Sequence, residues 1–458
     1  MLAEESIGRL LWTLSLPAGV GMFVMSLYNV VDTIFIGHAV GALGIAGLSI
    51  VFPVQMLTMG VGQMVGIGGA SLLSRSLGAR DLGRAERALG NGLLCVVAFA
   101  VLLTTVGLSN SSFWARLFGA SETTLPYTRA YLDIILMGTV FQAFSMAVNN
   151  LVRAEGNARV PMTAMVIGAI LNIVLDAVFI MALGMGVRGA AIATVLSQVV
   201  TSLYLASYYL RGRSSVRLRL EAFVLDVDVV KEILFIGFAS FVRTTAGSLV
   251  AIVLNRTLVA YGGDLAVAAY GLVNRVMMFA GMPIIALGQG LQPVLGFNYG
   301  ARRADRALRA IRLSVMVATV FSIIGFVVLV FCPSPLMRIF TNELELVDQA
   351  SHAATLVFLA LYLVGFQIIG STVFQAIGKA APAFLTATSR QILFLIPLVL
   401  VLPRFLQIDG VWLSFPIADA LSFVLTLALF VPQIRGFRGL VRPEGAPEAY
   451  RGREESTT

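Results

Sequence analysis

Apolar residues run along nearly the whole chain in stretches of about 20 or more, the length an α-helix needs to cross a bilayer, and short loops holding most of the charge separate them. Reading those runs between charged residues and Gly or Pro breaks predicts twelve helices. The first six span residues 10–36, 44–70, 89–112, 128–152, 161–183 and 189–210. The second six span 231–260, 266–292, 310–333, 350–377, 383–402 and 411–432.

Composition agrees with that pattern. Of 458 residues, 58% are hydrophobic and only 12% charged, with a mean hydropathy of +0.90; a water-soluble fold would leave most of these side chains without a core to enter. The sequence therefore predicts an all-α integral membrane protein with no soluble domain of ordinary size. The net charge of +8 does not point to nucleic acid, because the Lys and Arg residues sit in alternate loops rather than on one amphipathic face. All but eight of the 32 fall on one side of the predicted membrane. The exceptions are Arg116, Arg129, Arg188, Arg338 and Arg404 on the other side, and Arg243, Arg256 and Arg275 inside apolar runs; Arg390 is counted with the basic side. By the positive-inside rule both termini face the cytoplasm, in a multi-pass protein of the cell (inner, cytoplasmic) membrane. Cys95 and Cys332 lie in apolar runs without metal-ligand spacing, which argues against a disulfide framework or a zinc site. The first run, from about Leu10, is too long for a signal-peptide core.

The chain also repeats itself. GARDLGRAERA from Gly78 matches GARRADRALRA from Gly300, at an offset of 222. AEGNARVP from Ala154 meets AIGKAAP from Ala376 at the same offset, and Gly189 and Gly410 lie 221 apart. Three loops in register across six helices indicate a duplicated six-helix unit. Each half enters and leaves on the same side, so the expected architecture is two six-helix bundles related by a pseudo-two-fold axis along the membrane normal. The boundaries fall at 1–220 and 221–440, with a cytoplasmic tail at 441–458 expected to be disordered.

An ionisable group inside a spanning helix costs roughly 2.5–3.5 kcal/mol on insertion scales, so each needs a reason. Counting about 1.5 Å per residue from predicted helix ends places Asp32 about 7 Å deep, Asp176 about 12 Å, Thr194 about 7 Å and Tyr131 about 6 Å, with Asn172 one turn below Asp176. Five polar groups from four helices thus reach similar depths in the outer half. Two carboxylates in one partly desolvated pocket resist double ionisation and would hold a proton, or the oxygens of Asp32, Asn172, Asp176 and Thr194 would hold a sodium ion. Structural roles compete: Asp32 as a hydrated helix end, Asn172 as an interhelical partner, Thr194 bonding back to its own helix. Asp133 reads as structural, one turn from Arg129. In the second half Arg275 and Asp419 are expected to pair with each other. Glycines 60, 62, 66, 68 and 69 read as close helix packing, while Met22 and Met25 read either as plain lipid-facing or core residues or as an adaptable cleft wall. Asn149 is a further candidate for substrate contact.

Several segments together resemble the multidrug and toxic compound extrusion (MATE) family. The first helix places Pro17 before Tyr28-x-x-x-Asp32-Thr33-x-Phe35-x-Gly37, and the loops GARDLGRAERA, RAEGNARVP and QPVLGFNYGARRADRALRA and the segment LNIVLDAVFI look like that family. The resemblance covers nearly the whole chain. It implies an antiporter, working by alternating access, that exports diverse and often cationic organic compounds against inward H+ or Na+, with membrane lipids around it and no cofactor, nucleic-acid partner or enzymatic activity. Acidic residues are absent from the middles of helices seven, eight and ten, which resembles the DinF-like and MepA-like branch with its coupling acids in the first lobe. Carried over by position, the ion-coupling set is Asp32, Tyr131, Asn172, Asp176 and Thr194, Pro17 is the hinge of helix one, and Tyr28, Asn149, Met22 and Met25 are substrate-binding candidates. A monomer is expected. The alternatives are a lipid-linked oligosaccharide flippase of related plan and, from another class, a membrane-embedded enzyme.

Overall fold

In lipid every backbone N–H and C=O must find a partner within its own segment, so long apolar runs fold as helices. The computed structural model describes residues 2–440, and the expected tail 441–458 lies outside the described residues. The helices are α1 (Ile7–Val40), α2 (Ala42–Gly78), α3 (Leu82–Ser109), α4 (Ser111–Leu117), α5 (Leu125–Ala154), α6 (Arg159–Asp176), α7 (Gly186–Leu210), α8 (Val227–Gly300), α9 (Ala304–Phe331), α10 (Pro333–Arg338), α11 (Leu344–Val357), α12 (Leu361–Ala376), α13 (Ala380–Thr388), α14 (Ile396–Val401) and α15 (Pro403–Leu440). There is no strand among the described residues. Among the described residues ten helical stretches are long and apolar enough to cross a membrane, and the pair α11 and α12, bent by 56°, makes an eleventh crossing. At Gly263 the backbone of α8 breaks (φ 65°, ψ −166°), dividing it into two. Twelve crossings result, arranged in two bundles.

The duplication is written into the backbone as well as the sequence. Left-handed φ angles occur at Gly41 and Gly263, Arg80 and Arg302, and Gly156 and Gly378, each pair separated by the same offset as the repeated loops, and at Gly186 and Gln407, one position short of it. Each lies at the start, end or break of a helix at the corresponding place in the two halves, where the left-handed conformation redirects the chain. The short helices α4 and α10 start at Ser111 and Pro333, again in register with the repeat.

Hydrogen bonds between the two halves gather toward the end that carries the repeated basic loops. Arg75 and Arg84 on α2 and α3 both bind Glu232 of α8, at 2.8 and 2.6 Å. Ser71 donates to the carbonyl of Gln375 at 2.5 Å and Gln292 to that of Ile67 at 3.2 Å. The guanidinium of Arg153, at the end of α5, bonds the side chain of Gln289. The seam is close enough to require glycine. A Cβ on Gly68 would sit 1.9 Å from the carbonyl oxygen of Ile233, and one on Gly237 1.8 Å from that of Met64, so the glycine-rich run in α2 serves packing, as its sequence suggests.

Two expectations change. Arg390 is not a loop cation: it lies in a π-helical turn, Ser389–Leu395, between α13 and α14. Asp419 pairs with this Arg390, not with Arg275, which is exposed on α8. Depth counted from the predicted helix ends places Arg275 and Asp419 roughly level in the membrane but does not say which way either faces around its helix.

Candidate functional site

The first-half polar residues meet. Asp32 on α1 and Asp176 at the end of α6 are both buried, 9% and 0% exposed, and their carboxyl groups are close enough to interact directly. Immediately after Asp176 the helix widens into a π-helical turn, Ala177–Ala182, a distortion that recurs at functional positions because it re-aims side chains. Asn172, one turn before Asp176, is satisfied when its amide NH2 donates to Asp176 Oδ2 at 3.1 Å and its oxygen accepts from the Thr194 backbone N–H at 3.3 Å. The Thr194 hydroxyl, on α7, reaches the Tyr131 hydroxyl on α5. Tyr28, one turn before Asp32, interacts with both carboxylates. One oxygen of each aspartate, Asp32 Oδ1 and Asp176 Oδ1, is buried without a hydrogen-bond donor. Such orphaned oxygens on acidic groups are places for a proton or a small cation.

One member was not legible beforehand. Gln55 on α2 donates from Nε2 to the Tyr131 hydroxyl at 3.5 Å, bringing a fifth helix to the cluster. Its only sequence signal is isolation: it is a single amide in the run VFPVQMLTMG.

Other candidates lie elsewhere. Asn149 is on the same helix as Tyr131 but about five turns further along, or about 27 Å along its axis, and so does not join the cluster. Met22 receives the amide of Gln289 at its sulfur, 3.7 Å away, across the seam between the halves. Met25 lies between Met22 and Tyr28 on α1, and α1 runs through Pro17 as one helix. Asp133 faces Arg129 at 4.0 Å, in keeping with a structural role at a helix surface.

Twelve crossings in two bundles, joined at one end and holding a polar cluster inside the first, define the class of multi-pass membrane transporters. The chain belongs to the MatE family: the family model matches residues 17–178 and again 239–401, once in each half. It is similar to the multidrug export protein MepA of Staphylococcus saprophyticus, 26% identical over 426 residues that cover 93% of this chain and 94% of that one. Among solved structures, the MATE multidrug transporter DinF-BH matches with a TM-score of 0.88 at 42% identity, over 94% of this chain and 96% of that chain. A MATE transporter in complex with MaL6 matches with a TM-score of 0.90 at 26% identity, over 96% and 98%. The assignment to the MepA-like and DinF-like kind of MATE transporter follows.

Proposed function

We propose that this protein is a multidrug antiporter of the cell membrane, exporting organic and often cationic compounds in exchange for inward protons or sodium ions by alternating access. The names of its relatives support the substrate class, and the pairing of Asp32 with Asp176 carries the coupling. Two carboxylates in contact resist simultaneous ionisation, so a proton, a metal cation or a cationic substrate must compensate them. Ion and drug then compete for one lobe, which is what obligatory exchange requires. Tyr131, Asn172 and Thr194 hold the pair in place. Pro17, which removes one backbone hydrogen bond from α1, supplies a hinge through which α1 could respond to the ion. Tyr28, Met22 and Met25 follow on the same helix as substrate contacts; Asn149, far from the pair, would act only on the route from the basic end.

The orientation of Asn172 separates the two ions. A protonated pair is served by the amide NH2 turned toward Asp176, whereas a sodium ion needs its oxygen turned there. The basic loops put both termini in the cytoplasm, so the seam described above closes the cytoplasmic side. The chain works as a monomer in this reading, and without a catalytic step.

The test is dye efflux from liposomes holding the purified protein, first under an imposed pH gradient and then under an imposed sodium gradient. Efflux driven by one gradient names the ion. Efflux indifferent to both, or lipid-linked sugar flipping in its place, would refute the antiport.

A further inference from the structure

The second bundle contains a buried charge pair that the coupling chemistry leaves unused. Arg390 binds Asp419 through two parallel bonds, Nε to Oδ1 and NH2 to Oδ2. Two further contacts lock the carboxylate's helix against its neighbours: Gln367 donates to the Asp419 carbonyl at 2.7 Å, and Ser389 and Ser422 share a hydrogen bond of 2.7 Å.

The position of Arg390 says what it faces. The crossing 380–401 has 22 residues, about 33 Å at 1.5 Å per residue, a close match to the roughly 30 Å hydrocarbon layer. Arg390 stands at its middle. The Asp419 side chain is 2% exposed but that of Arg390 is 27% exposed. A guanidinium open to lipid at that depth is costly, and such groups instead face the bundle interior or a water-filled cavity. The exposed quarter of Arg390 therefore belongs to the interior of the second bundle and not to its lipid face. Its bonds to Asp419 use two of five N–H donors, and the NH1 group has no hydrogen bond among the described residues.

We propose that Arg390, held in place by Asp419, is a second substrate subsite inside the second bundle, and that it receives a carboxylate or another strong hydrogen-bond acceptor. The site favours amphiphiles that carry a carboxylate, zwitterions among them: the anionic end meets the free edge of the guanidinium. The pair has no net charge, so it admits plain cations without attracting them and adds affinity only for a ligand that presents an acceptor. The π-helical turn fits this role, since it carries Arg390 much as the turn after Asp176 adjoins the first site. The inference rests on the multidrug reading and extends it to a substrate class.

A matched pair of dyes tests it. Rhodamine B carries a free carboxylate, and its ethyl ester is the same chromophore without that charge. The readout is the ratio of their Kd values, measured by fluorescence polarisation on the purified full-length protein. In the Arg390→Gln, Asp419→Asn double variant, which keeps the site's net charge, the ratio should move about tenfold against rhodamine B, as expected for loss of one charge-assisted hydrogen bond. Asp419→Asn alone frees both edges of the guanidinium and should move the ratio the other way, by roughly threefold or more. The opposite signs separate a binding role from general damage. If Asp419→Asn fails to fold, the double variant carries the test. A ratio within twofold of wild type in the double variant, or a wild type that binds only the ester, overturns the subsite and leaves multidrug export standing. Failure of the wild type to bind either dye overturns both.

Discussion

Gly78 packs against the carbonyl of Phe297, and Gly300, its counterpart in the second half, packs against the carbonyl of Arg75, itself the counterpart of Phe297. A Cβ at either glycine would stand 2.0 Å from the facing oxygen. The contact is reciprocal, as an axis relating two halves demands. Neither backbone can yield alone, so Gly300→Val should prise the basic ends apart. Pulsed electron resonance between labels on Leu82→Cys and Asp305→Cys, in a Cys332→Ser background, should show a longer mean distance and loss of the short population. An unchanged distance distribution would show that this seam does not hold the closed end.

Glu232 has two arginine partners of unequal burial. Arg75 is 17% exposed and Arg84 47%. Exposed pairs contribute at most about 1 kcal/mol, whereas breaking a buried one costs about 3–5 kcal/mol. Arg84→Ala should therefore lower thermal stability slightly and Arg75→Ala distinctly more, by roughly 2 kcal/mol. Melting of the two variants in the same detergent checks the order.

Neutralising the first-bundle carboxylates should separate coupling from folding. Asp32→Asn and Asp176→Asn remove a charge from a pair that resists double ionisation, so expression and melting should stay near wild type. Gradient-driven efflux should fall to the leak level, and drug affinity should lose its dependence on pH or sodium. Asp133→Asn, next to Arg129 at a helix surface, should do neither. Wild-type efflux from a purified Asp32→Asn, Asp176→Asn protein would remove the mechanism while leaving the family assignment intact.

Asp419 and Arg390 should behave as one unit in stability. Removing either partner leaves a buried charge, at a cost of about 3–5 kcal/mol, while replacing both by apolar residues of similar size costs far less. A double-mutant cycle with Arg390→Met and Asp419→Leu should show strong coupling. The same cycle with Arg275→Met should show none.

Glu155 caps the loop end of α5, where it accepts from Ser214 Oγ and the Ser215 backbone N–H, both at 2.8 Å. Burial outweighs these bonds and holds its carboxyl above the usual glutamate range. An acid whose folded value is raised adds stability below its unfolded value and loses it as pH rises through the folded one. The wild type should accordingly lose more stability than Glu155→Gln between acid and neutral pH. Parallel melting curves over that range would contradict it.

The sequence by itself determined the membrane class, the crossings, the duplication and the identity of most first-bundle polar residues. Each of these follows from one-dimensional physics: the cost of unpaired backbone in lipid, the length needed to cross it, and the penalty of burying Asp32 or Asp176 without a purpose. The break inside α8 was legible too, since the predicted helices 231–260 and 266–292 leave a gap that contains Gly263. What the tertiary structure alone decided was which faces meet. Depth counted from a helix end ranks residues along the membrane normal but leaves rotation about the helix axis free, and that is why Asp419 could be matched to Arg275 when its partner is Arg390. The same freedom hid Gln55, whose amide reaches Tyr131 only because α2 and α5 pack on one another. The π-helical turns at Ala177–Ala182 and Ser389–Leu395 have no sequence signature of their own, because an extra residue in a turn is stabilised by the neighbours it packs against. Those turns set where Asp176 and Arg390 point, and packing alone fixed them.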